Sequence, residues 1–325
     1  MRSAIHATFG EPADVVAAGD APVPEPGPGE IRVRMALAPI HNHDLWTIRG
    51  QYGWKPTLPA IGGSEACGTI DALGAGVEGL AVGQRVNIAA AHGTWAEYFV
   101  APAALAVPLP DAVDDAVGAQ LVAMPLSALM LLDSLELESG QWIVQNAANG
   151  AVGKALAMLA AARGVRVLSL VRREAGVDEL AEVGVGDAIA CTGDDWRERA
   201  RSLVGKARAR VAIDSVGGAA TADLVGLLGD GGTLVSFGAM GGEPMHVPSG
   251  EVIFRDLVVR GFWGSRTGRA LPADVRRRLV GELLQRAASG ELRLPVDAVV
   301  PLDQAPQAMA ASQRPGRGGK VLLRP

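Results

Sequence analysis

The sequence predicts an α/β fold in two domains, a β-barrel-type domain of short strands and a doubly wound parallel-sheet domain. Three observations lead to this prediction. The chain has 325 residues, which is more than one average domain uses. Its first 110 residues contain short strand-like segments separated by turns rich in glycine and proline. Beyond residue 114, strand and helix patterns alternate, as they do in a parallel sheet with helical crossovers.

The first domain is predicted as strands joined by turns. An alternating segment at 30–35 follows a Pro/Gly-rich turn at 24–29, and the glycines of 74–76 separate two further strands. The predicted strands are 30–35, 68–73, 84–89 and 93–100. Since no helical crossover connects them, they suggest a compact barrel-like domain.

The second domain begins with helical periodicity at 115–137 and then alternates. The predicted strands are 142–146, 166–171, 188–190, 210–214, 232–238 and 257–261. The predicted helices are 151–163, 177–183, 195–204 and 219–228. A long helix at 272–289 precedes a short mixed tail. The predicted domains are therefore 1–114 with 266–325, and 115–265.

Composition excludes several classes of protein. A net charge of −5 and a pI near 5.6 argue against a nucleic-acid partner. Only two cysteines occur, Cys67 and Cys191, so no disulfide framework is expected and a reducing compartment is favoured. No apolar run is long enough to cross a membrane, and the N-terminus lacks the pattern of a signal peptide. A cytoplasmic protein with no membrane partner is expected.

The sharpest motif is Ala-x-Gly-x-x-Gly, placed where the strand at 142–146 passes into the next helix. In such a turn the glycines allow close approach of a pyrophosphate and of the helix, and the helix N-terminus offers unpaired N–H groups. The motif predicts a nucleotide site. The residues assigned to it are Asn146, Ala148, Asn149, Gly150, Ala151, Val152 and Gly153.

The end of the next strand indicates which nicotinamide cofactor binds. An acidic residue there usually holds the ribose 2′-hydroxyl of NADH. Here Arg172 and Arg173 stand in its place, and guanidinium groups suit a 2′-phosphate. NADPH is predicted, with two merely exposed loop arginines as the alternative.

The whole chain resembles the medium-chain dehydrogenase/reductases. The Gly-x-Glu element at 63–65, the strand at 93–100 and the late glycine-rich domain come in the order of that superfamily. Four segments, 48–53, 58–65, 144–149 and 253–263, most resemble the zinc-free 2-enoyl thioester reductases of mitochondrial fatty-acid synthesis. Quinone oxidoreductases match these segments less well. The resemblance implies a GroES-like catalytic domain and a Rossmann cofactor domain.

The resemblance also implies that no catalytic zinc is bound. Zinc alcohol dehydrogenases of this superfamily use three ligand positions; His41 stands at the first, Ser64 at the second, and no cysteine follows Pro125 for the third. Serine is a poor zinc ligand. A different metal site remains an open alternative. It would draw on His41, His43, Glu65 and His92.

Without a metal to polarise a substrate oxygen, an activated C=C bond is the favoured hydride acceptor. Hydride at the β carbon produces an enolate, whose oxygen a hydroxyl or N–H donor stabilises. Tyr52 matches the tyrosine given this role in the enoyl reductases, and Trp263 matches a tryptophan near the substrate. A covering role for Tyr52 and a packing role for Trp263 are the alternatives.

His43 departs from the family, which has a small or hydroxyl residue there. A free histidine titrates near neutral pH, with a pKa of about 6.5, so His43 introduces the option of a proton relay. His41 or Asn42 is expected to line the nicotinamide face. Further cofactor contacts are expected after the late strands of the second domain. They are Phe237, Gly238, Met240, Phe262 and Trp263.

Two alternatives to enoyl reduction stay open, an NADPH:quinone reductase and a non-catalytic protein that binds NADPH or RNA. The acidic pI argues against RNA, and the presence of Tyr52 argues against lost catalysis. The resemblance also implies a homodimer formed through edge strands of the cofactor domains, with the apolar segment 257–262 as the edge.

Overall fold

The structure is a computed structural model that describes residues 1–206 and 208–325. It divides into two units, Met1–Met124 with Val280–Pro325, and Pro125–Leu279. The boundaries predicted from the sequence, at 114/115 and 265/266, lie before the observed divisions at 124/125 and 279/280. Residues after 114 stay with the first unit because the Gly118 carbonyl accepts a hydrogen bond from Asn87 and the Asp115 carbonyl accepts one from Cys67.

Most elements of the first unit are short strands. In chain order the strands are β1 (Arg2–His6), β2 (Val16–Asp20), β3 (Glu30–Pro39), β4 (Ala60–Ile61), β5 (Glu65–Leu73), β6 (Arg85–Ala89), β7 (Tyr98–Pro102) and β8 (Ala106–Pro108). The helices are α1 (Pro12–Val15), α2 (Asn42–Ile48) and α3 (Asp115–Gly118).

The second unit alternates helices and strands. Its helices are α4 (Ala123–Asp133), which begins in the first unit, α5 (Ala151–Ala162), α6 (Ala175–Glu182), α7 (Trp196–Val204), α8 (Ala219–Val225), α9 (Ser249–Phe254) and α10 (Gly264–Ala270). Its strands are β9 (Trp142–Gln145), β10 (Arg166–Val171), β11 (Ala188–Ala190), β12 (Ala209–Asp214), β13 (Leu228–Ser236) and β14 (Val258–Gly261). Helix α11 (Ala273–Ala288) runs back into the first unit, followed by β15 (Val296–Pro301), α12 (Ala305–Gln313) and β16 (Lys320–Arg324).

Strand β3 organises the first unit. It pairs antiparallel with β5, β7 and β16, and the sheet runs in the order β15-β16-β3-β5-β6-β8. Alternate residues of β3, Ile31, Val33 and Met35, are buried in the core. The sheet is antiparallel except for the parallel pair β15–β16, so the GroES-like plan is observed with the last strand of the sequence built into the same sheet.

The six strands of the second unit are all parallel, in the order β11-β10-β9-β12-β13-β14. This is the Rossmann order, and the parallel pairing confirms the doubly wound sheet predicted from the alternating pattern. The order reverses between β9 and β12, and ligands of such sheets bind beyond the carboxyl ends of the strands at that point.

The prediction that the first domain contains only strands and turns was wrong at α2. This helix has seven residues, too few for helical periodicity to stand out from the sequence. It buries Asp44, Leu45 and Ile48, and the Asp44 carboxylate accepts a hydrogen bond from the His41 N–H before the first turn. The helix matters because it carries Asn42 and His43.

Candidate active site

The glycine-rich motif forms a tight turn between β9 and α5. Ala147 has a left-handed φ of 49°, and the Gly150 N–H donates to the Ala147 carbonyl at 2.9 Å. A Cβ on Gly153 would lie 2.7 Å from the Ala148 oxygen and 2.8 Å from its Cα, so only glycine fits. Helix α5 thus begins directly against the backbone of the turn, with Ala151 and Val152 in its first turn.

Asn146 connects the two strands that flank the switch point. Its Nδ2 donates to Asp214 at 2.7 Å, and its Oδ1 accepts the Ser215 N–H at 2.7 Å. Asp214 is fully buried and also accepts the Gly217 N–H and the Thr221 hydroxyl. The side chain of Asn146, assigned to the cofactor from sequence, therefore fixes the carboxyl ends of β9 and β12. Asp214 was not among the predicted site residues, because its place at a strand end is its only signal in the sequence.

The two arginines after β10 differ in their environment. Arg173 forms an ion pair with Glu179 at 2.5 Å, and Glu179 also accepts a hydrogen bond from Asn149. Arg172 is exposed and makes no ion pair among the described residues. Of the two arginines, Arg172 is therefore the one whose guanidinium is accessible to an anion. The side chains of Arg173 and Asn149 are instead bonded to residues of α6.

The remaining cofactor candidates of the second unit lie after β13 and β14. The rings of Phe237 and Phe262 stack with centroids 5.7 Å apart. The Gly238 N–H donates to the Asp214 carbonyl. Met240 and Trp263 are 61% and 44% exposed, so both present apolar surface beyond the sheet.

A chain of hydrogen bonds connects α2 to the residue before β5. The His43 Nε2 lies 2.6 Å from the Ser64 hydroxyl, and that hydroxyl donates to the Asp44 Oδ1 at 2.7 Å. The other oxygen of Asp44 accepts the His41 N–H at 2.9 Å. The ring of Tyr52 lies 5.8 Å from the ring of His43, centroid to centroid. Tyr52 and His43, assigned to catalysis from sequence, are therefore neighbours.

His41 and Glu65 form a fully buried pair, with His41 Nε2 2.8 Å from Glu65 Oε2. The second carboxylate oxygen accepts hydrogen bonds from the Asn87 side chain and the N–H groups of Val122 and Ala123. Burial raises the pKa of Glu65 to about 7 and lowers the pKa of His41 well below its ordinary value. The imidazole is therefore neutral. The expectation that His41 lines a cofactor face is wrong, because its side chain is completely enclosed.

Lys320 on β16 adds a cation beside this pair. Its Nζ donates to the Ile40 carbonyl at 3.2 Å, and desolvation, followed by the charge of Arg317, lowers the pKa of Lys320 to about 8. Nothing in the sequence pattern indicated this placement, because the tail was predicted only as short mixed structure.

The lowered pKa of Lys320 predicts a pH-dependent stability. Between pH 8 and about 10.4, the unfolded lysine holds a proton that the folded one has released, so the contribution of Lys320 to the free energy of unfolding rises with pH, by at most about 1.4 kcal/mol per pH unit. Below pH 8 both states are protonated and the contribution is constant. Burial raises the pKa of the Cys67 and Cys191 thiols, which contributes a fall with pH in every variant, so the prediction concerns the difference between variants. We expect the free energy of unfolding of Lys320→Met, measured in urea, to have a lower slope against pH over this range than that of wild type, and the exposed-site control Lys55→Met to keep the wild-type slope. Equal slopes in wild type and Lys320→Met would contradict the prediction.

The donor groups of the first unit do not fit a catalytic metal. The Nε2 of His41 is bound by Glu65, and the Ser64 hydroxyl is shared between His43 and Asp44. Within residues 1–206 and 208–325, no group of three His, Cys, Asp or Glu side chains has the arrangement of a metal site. The ring of His92 instead stacks on the ring of Trp54, with centroids 3.8 Å apart.

Comparison with known proteins agrees with both halves of the fold. The family profile for a zinc-binding dehydrogenase matches residues 151–281, and that for an alcohol dehydrogenase GroES-like domain matches residues 27–111. Human mitochondrial enoyl-[acyl-carrier-protein] reductase is 32% identical over 329 residues, covering 99% of this chain and 88% of that protein. The chain belongs to the medium-chain dehydrogenase/reductase family.

Two further proteins that are similar to this chain are reductases. The mitochondrial enoyl-[acyl-carrier-protein] reductase of Arabidopsis thaliana is 30% identical, with 99% of this chain and 88% of that protein covered. The crystal structure of Escherichia coli quinone oxidoreductase complexed with NADPH has a TM-score of 0.90 at 26% identity, with both chains fully covered. No helix in the described part of the chain is long and apolar enough to span a membrane.

Proposed function

We propose that this chain is an NADPH-dependent reductase of activated C=C bonds, acting on a 2-enoyl thioester or an enone. The observation that carries the proposal is the position of Tyr52 beside His43, on a domain whose donor groups do not fit a metal. The full-length similarity to enoyl reductases supports the same reaction.

The chemistry follows from where charge develops. NADPH, when bound, supplies a hydride to the β carbon of the substrate. Negative charge then accumulates on the carbonyl oxygen as an enolate, and the Tyr52 hydroxyl donates a hydrogen bond to it. The Trp263 indole N–H is the second proposed donor. Transfer of the Tyr52 proton to the α carbon completes the reduction.

Cofactor binding is assigned to the second unit. The turn at 147–153 and the N-terminus of α5 receive the pyrophosphate, and Arg172 receives the 2′-phosphate as a charge-assisted partner. Similarity to the E. coli enzyme complexed with NADPH supports the choice of NADPH.

The first experiment compares substrates with one enzyme preparation. The loss of NADPH absorbance is followed with crotonyl-CoA, with a simple enone and with a quinone. Turnover of the thioester or enone at a higher kcat/KM than the quinone supports the proposal. Turnover of the quinone alone would contradict it and favour the second candidate.

That second candidate is an NADPH:quinone reductase. It is favoured by the TM-score of 0.90 to the E. coli quinone oxidoreductase, although the enoyl reductases are the more similar in sequence. A non-catalytic NADPH-binding protein is the least favoured reading, because the hydrogen-bonded set beside Tyr52 has no evident purpose in binding alone.

We also propose that the reaction proceeds without zinc. The name of one matching family profile includes zinc, but Ser64 is a poor ligand and its hydroxyl is already hydrogen-bonded. Elemental analysis of washed, active protein is expected to find much less than one metal ion per chain. The activity is expected to survive treatment with a chelator. A stoichiometric metal whose removal abolishes turnover would contradict this.

A homodimer through the edge of the Rossmann sheet is part of the proposal. Strand β14 is an edge strand whose four residues are all exposed, and Ile253 and Phe254 of α9 are 70% and 86% exposed. An uncovered apolar edge of this kind favours association. In sedimentation, Phe254→Asp should shift the protein toward monomer, whereas Val82→Asp, at a 62% exposed site of the first unit, should not. A wild type that is monomeric at micromolar concentration would refute the dimer.

A cytoplasmic location remains a proposal from composition.

A further inference from the structure

We propose that His43, positioned by Ser64 and Asp44, relays a proton from water to Tyr52 after each reduction. The proposal rests on the proposed function, because it requires Tyr52 to lose its proton to the substrate. It adds to that function a source for the replacement proton and assigns the three side chains a common role.

The hydrogen bonds fix the direction of the relay. Ser64 donates its hydroxyl proton to the Asp44 carboxylate, so the serine oxygen is left to accept from His43. The His43 Nε2 must then carry a proton. Its other ring nitrogen, Nδ1, is then the one assigned to proton exchange with Tyr52; the centroids of the two rings lie 5.8 Å apart.

The carboxylate that positions Ser64 and His43 is held rigidly. Asp44 is only 4% exposed, and its second oxygen accepts the His41 N–H at 2.9 Å. Ser64 precedes Glu65, whose side chain is fixed by the hydrogen bonds already described. The Asp44 Oδ1 lies 3.5 Å from the His43 Nε2, and its hydrogen bond from Ser64 favours the tautomer of neutral His43 that carries the proton on Nε2.

The other charged groups around His43 do not replace Asp44. His41 stacks on the His43 ring, with centroids 5.1 Å apart, and is neutral because it is buried. Glu65 is engaged by His41, and Lys320 approaches from β16 with a positive charge that opposes protonation nearby. Asp44 is therefore the carboxylate that lies against the His43 ring.

The step balances as a simple proton transfer. When the α carbon is protonated, the Tyr52 O–H bond breaks and a C–H bond forms, leaving a phenolate. The Nδ1–H bond of protonated His43 then breaks as the phenol O–H re-forms, and the imidazole becomes neutral. The His43 side chain is 24% exposed, so it regains a proton from water. The net reaction consumes the substrate, NADPH and one proton.

The simplest competing explanation is that these hydrogen bonds only hold α2 against β5. Two variants of Ser64 separate the possibilities, because Ser64→Ala removes the hydroxyl and Ser64→Thr keeps it. We expect Ser64→Ala to lower kcat for crotonyl-CoA about tenfold with little change in KM, and Ser64→Thr to stay within about threefold of wild type, since general acid–base contributions are commonly about 10²–10⁴-fold in total.

Replacement of His43 gives the decisive readout. His43→Ala should lower kcat about 100-fold, and added imidazole should restore at least tenfold of that loss by supplying the missing acid. Pyrrole fills the same space without a basic nitrogen and should restore nothing. The matched control is His92→Phe, because His92 also stacks on an aromatic ring but makes no hydrogen bond among the described residues, and its kcat should be unchanged.

The outcomes distinguish the relay from the proposed function. If wild type reduces crotonyl-CoA but His43→Ala is insensitive to imidazole and Ser64→Ala matches Ser64→Thr, the relay is refuted and enoyl reduction stands. If wild type reduces no enoyl thioester or enone, both proposals are refuted together.

Discussion

Replacing Tyr52 by phenylalanine is expected to lower kcat for an enoyl thioester by about 10²–10⁴-fold, because the variant loses both the oxyanion donor and the α-carbon acid. The KM should change little, since the ring itself remains. The measurement is NADPH oxidation at saturating crotonyl-CoA. Tyr98→Phe is the matched control, because Tyr98, the other tyrosine in the sequence, lies on β7 under the guanidinium of Arg32.

A different pattern would change the role of Tyr52. If Tyr52→Phe and Tyr98→Phe both keep wild-type kcat, Tyr52 is a covering aromatic residue and the enolate donor must be sought elsewhere. If quinone reduction alone survives in Tyr52→Phe, the chain has two reactions that differ in their need for a proton donor.

Replacing Arg172 by alanine is expected to weaken NADPH binding by about 10–100-fold, because a hydrogen bond to a charged group contributes about 1.5–3 kcal/mol. Binding of NADH should not change, since NADH has no 2′-phosphate. The matched control is Arg173→Ala, where the lost guanidinium is already paired with Glu179. Dissociation constants for both nucleotides, measured by titration of tryptophan fluorescence, give the comparison without depending on turnover.

Two results would contradict this assignment. A larger loss of NADPH affinity in Arg173→Ala than in Arg172→Ala would move the phosphate contact to Arg173 and imply that its pair with Glu179 opens on binding. Equal affinity of wild type for NADH and NADPH would remove the basis for a phosphate contact at this position.

The Rossmann half of the fold was predictable because its signals are local and repeat along the chain. Each strand is a short apolar run, each crossover is a helix, and the parallel order follows from that alternation. The turn at 147–153 was predictable for the same reason, since its sequence pattern and its position after β9 are both visible. The sequence pattern at Gly153 matches the observed contact with Ala148.

The hydrogen-bonded set beside Tyr52 was only partly predictable. A role for His43 was predictable because this residue departs from the family pattern. The sequence showed only that Ser64 is a poor metal ligand, and its hydrogen bonds were not predicted. Asp44 gave no signal, since a carboxylate in a seven-residue helix is usually a cap. These residues meet only after β3, α2 and β5 are assembled, and no spacing in the sequence encodes that proximity. Lys320 enters from the other end of the chain through β16.

The domain boundaries were misplaced for a similar reason. The structure does change from strands to helices near residue 114, but α3 is hydrogen-bonded to β5 and β6 of the first unit. At the other boundary, α10 and the start of α11 belong to the second unit, where Arg278 forms an ion pair with Asp133. Tertiary contacts, and not the local sequence pattern, therefore determine both domain boundaries.

The most direct test of the central claim is the position of the transferred hydride. Crotonyl-CoA is reduced in water with NADPH that carries deuterium at both C4 positions of the nicotinamide, and the product is examined by NMR. We expect one deuterium on the β carbon and ordinary hydrogen from solvent on the α carbon. Deuterium on the α carbon, or no saturated product while the cofactor is oxidised, would contradict reduction of an activated C=C bond by this protein.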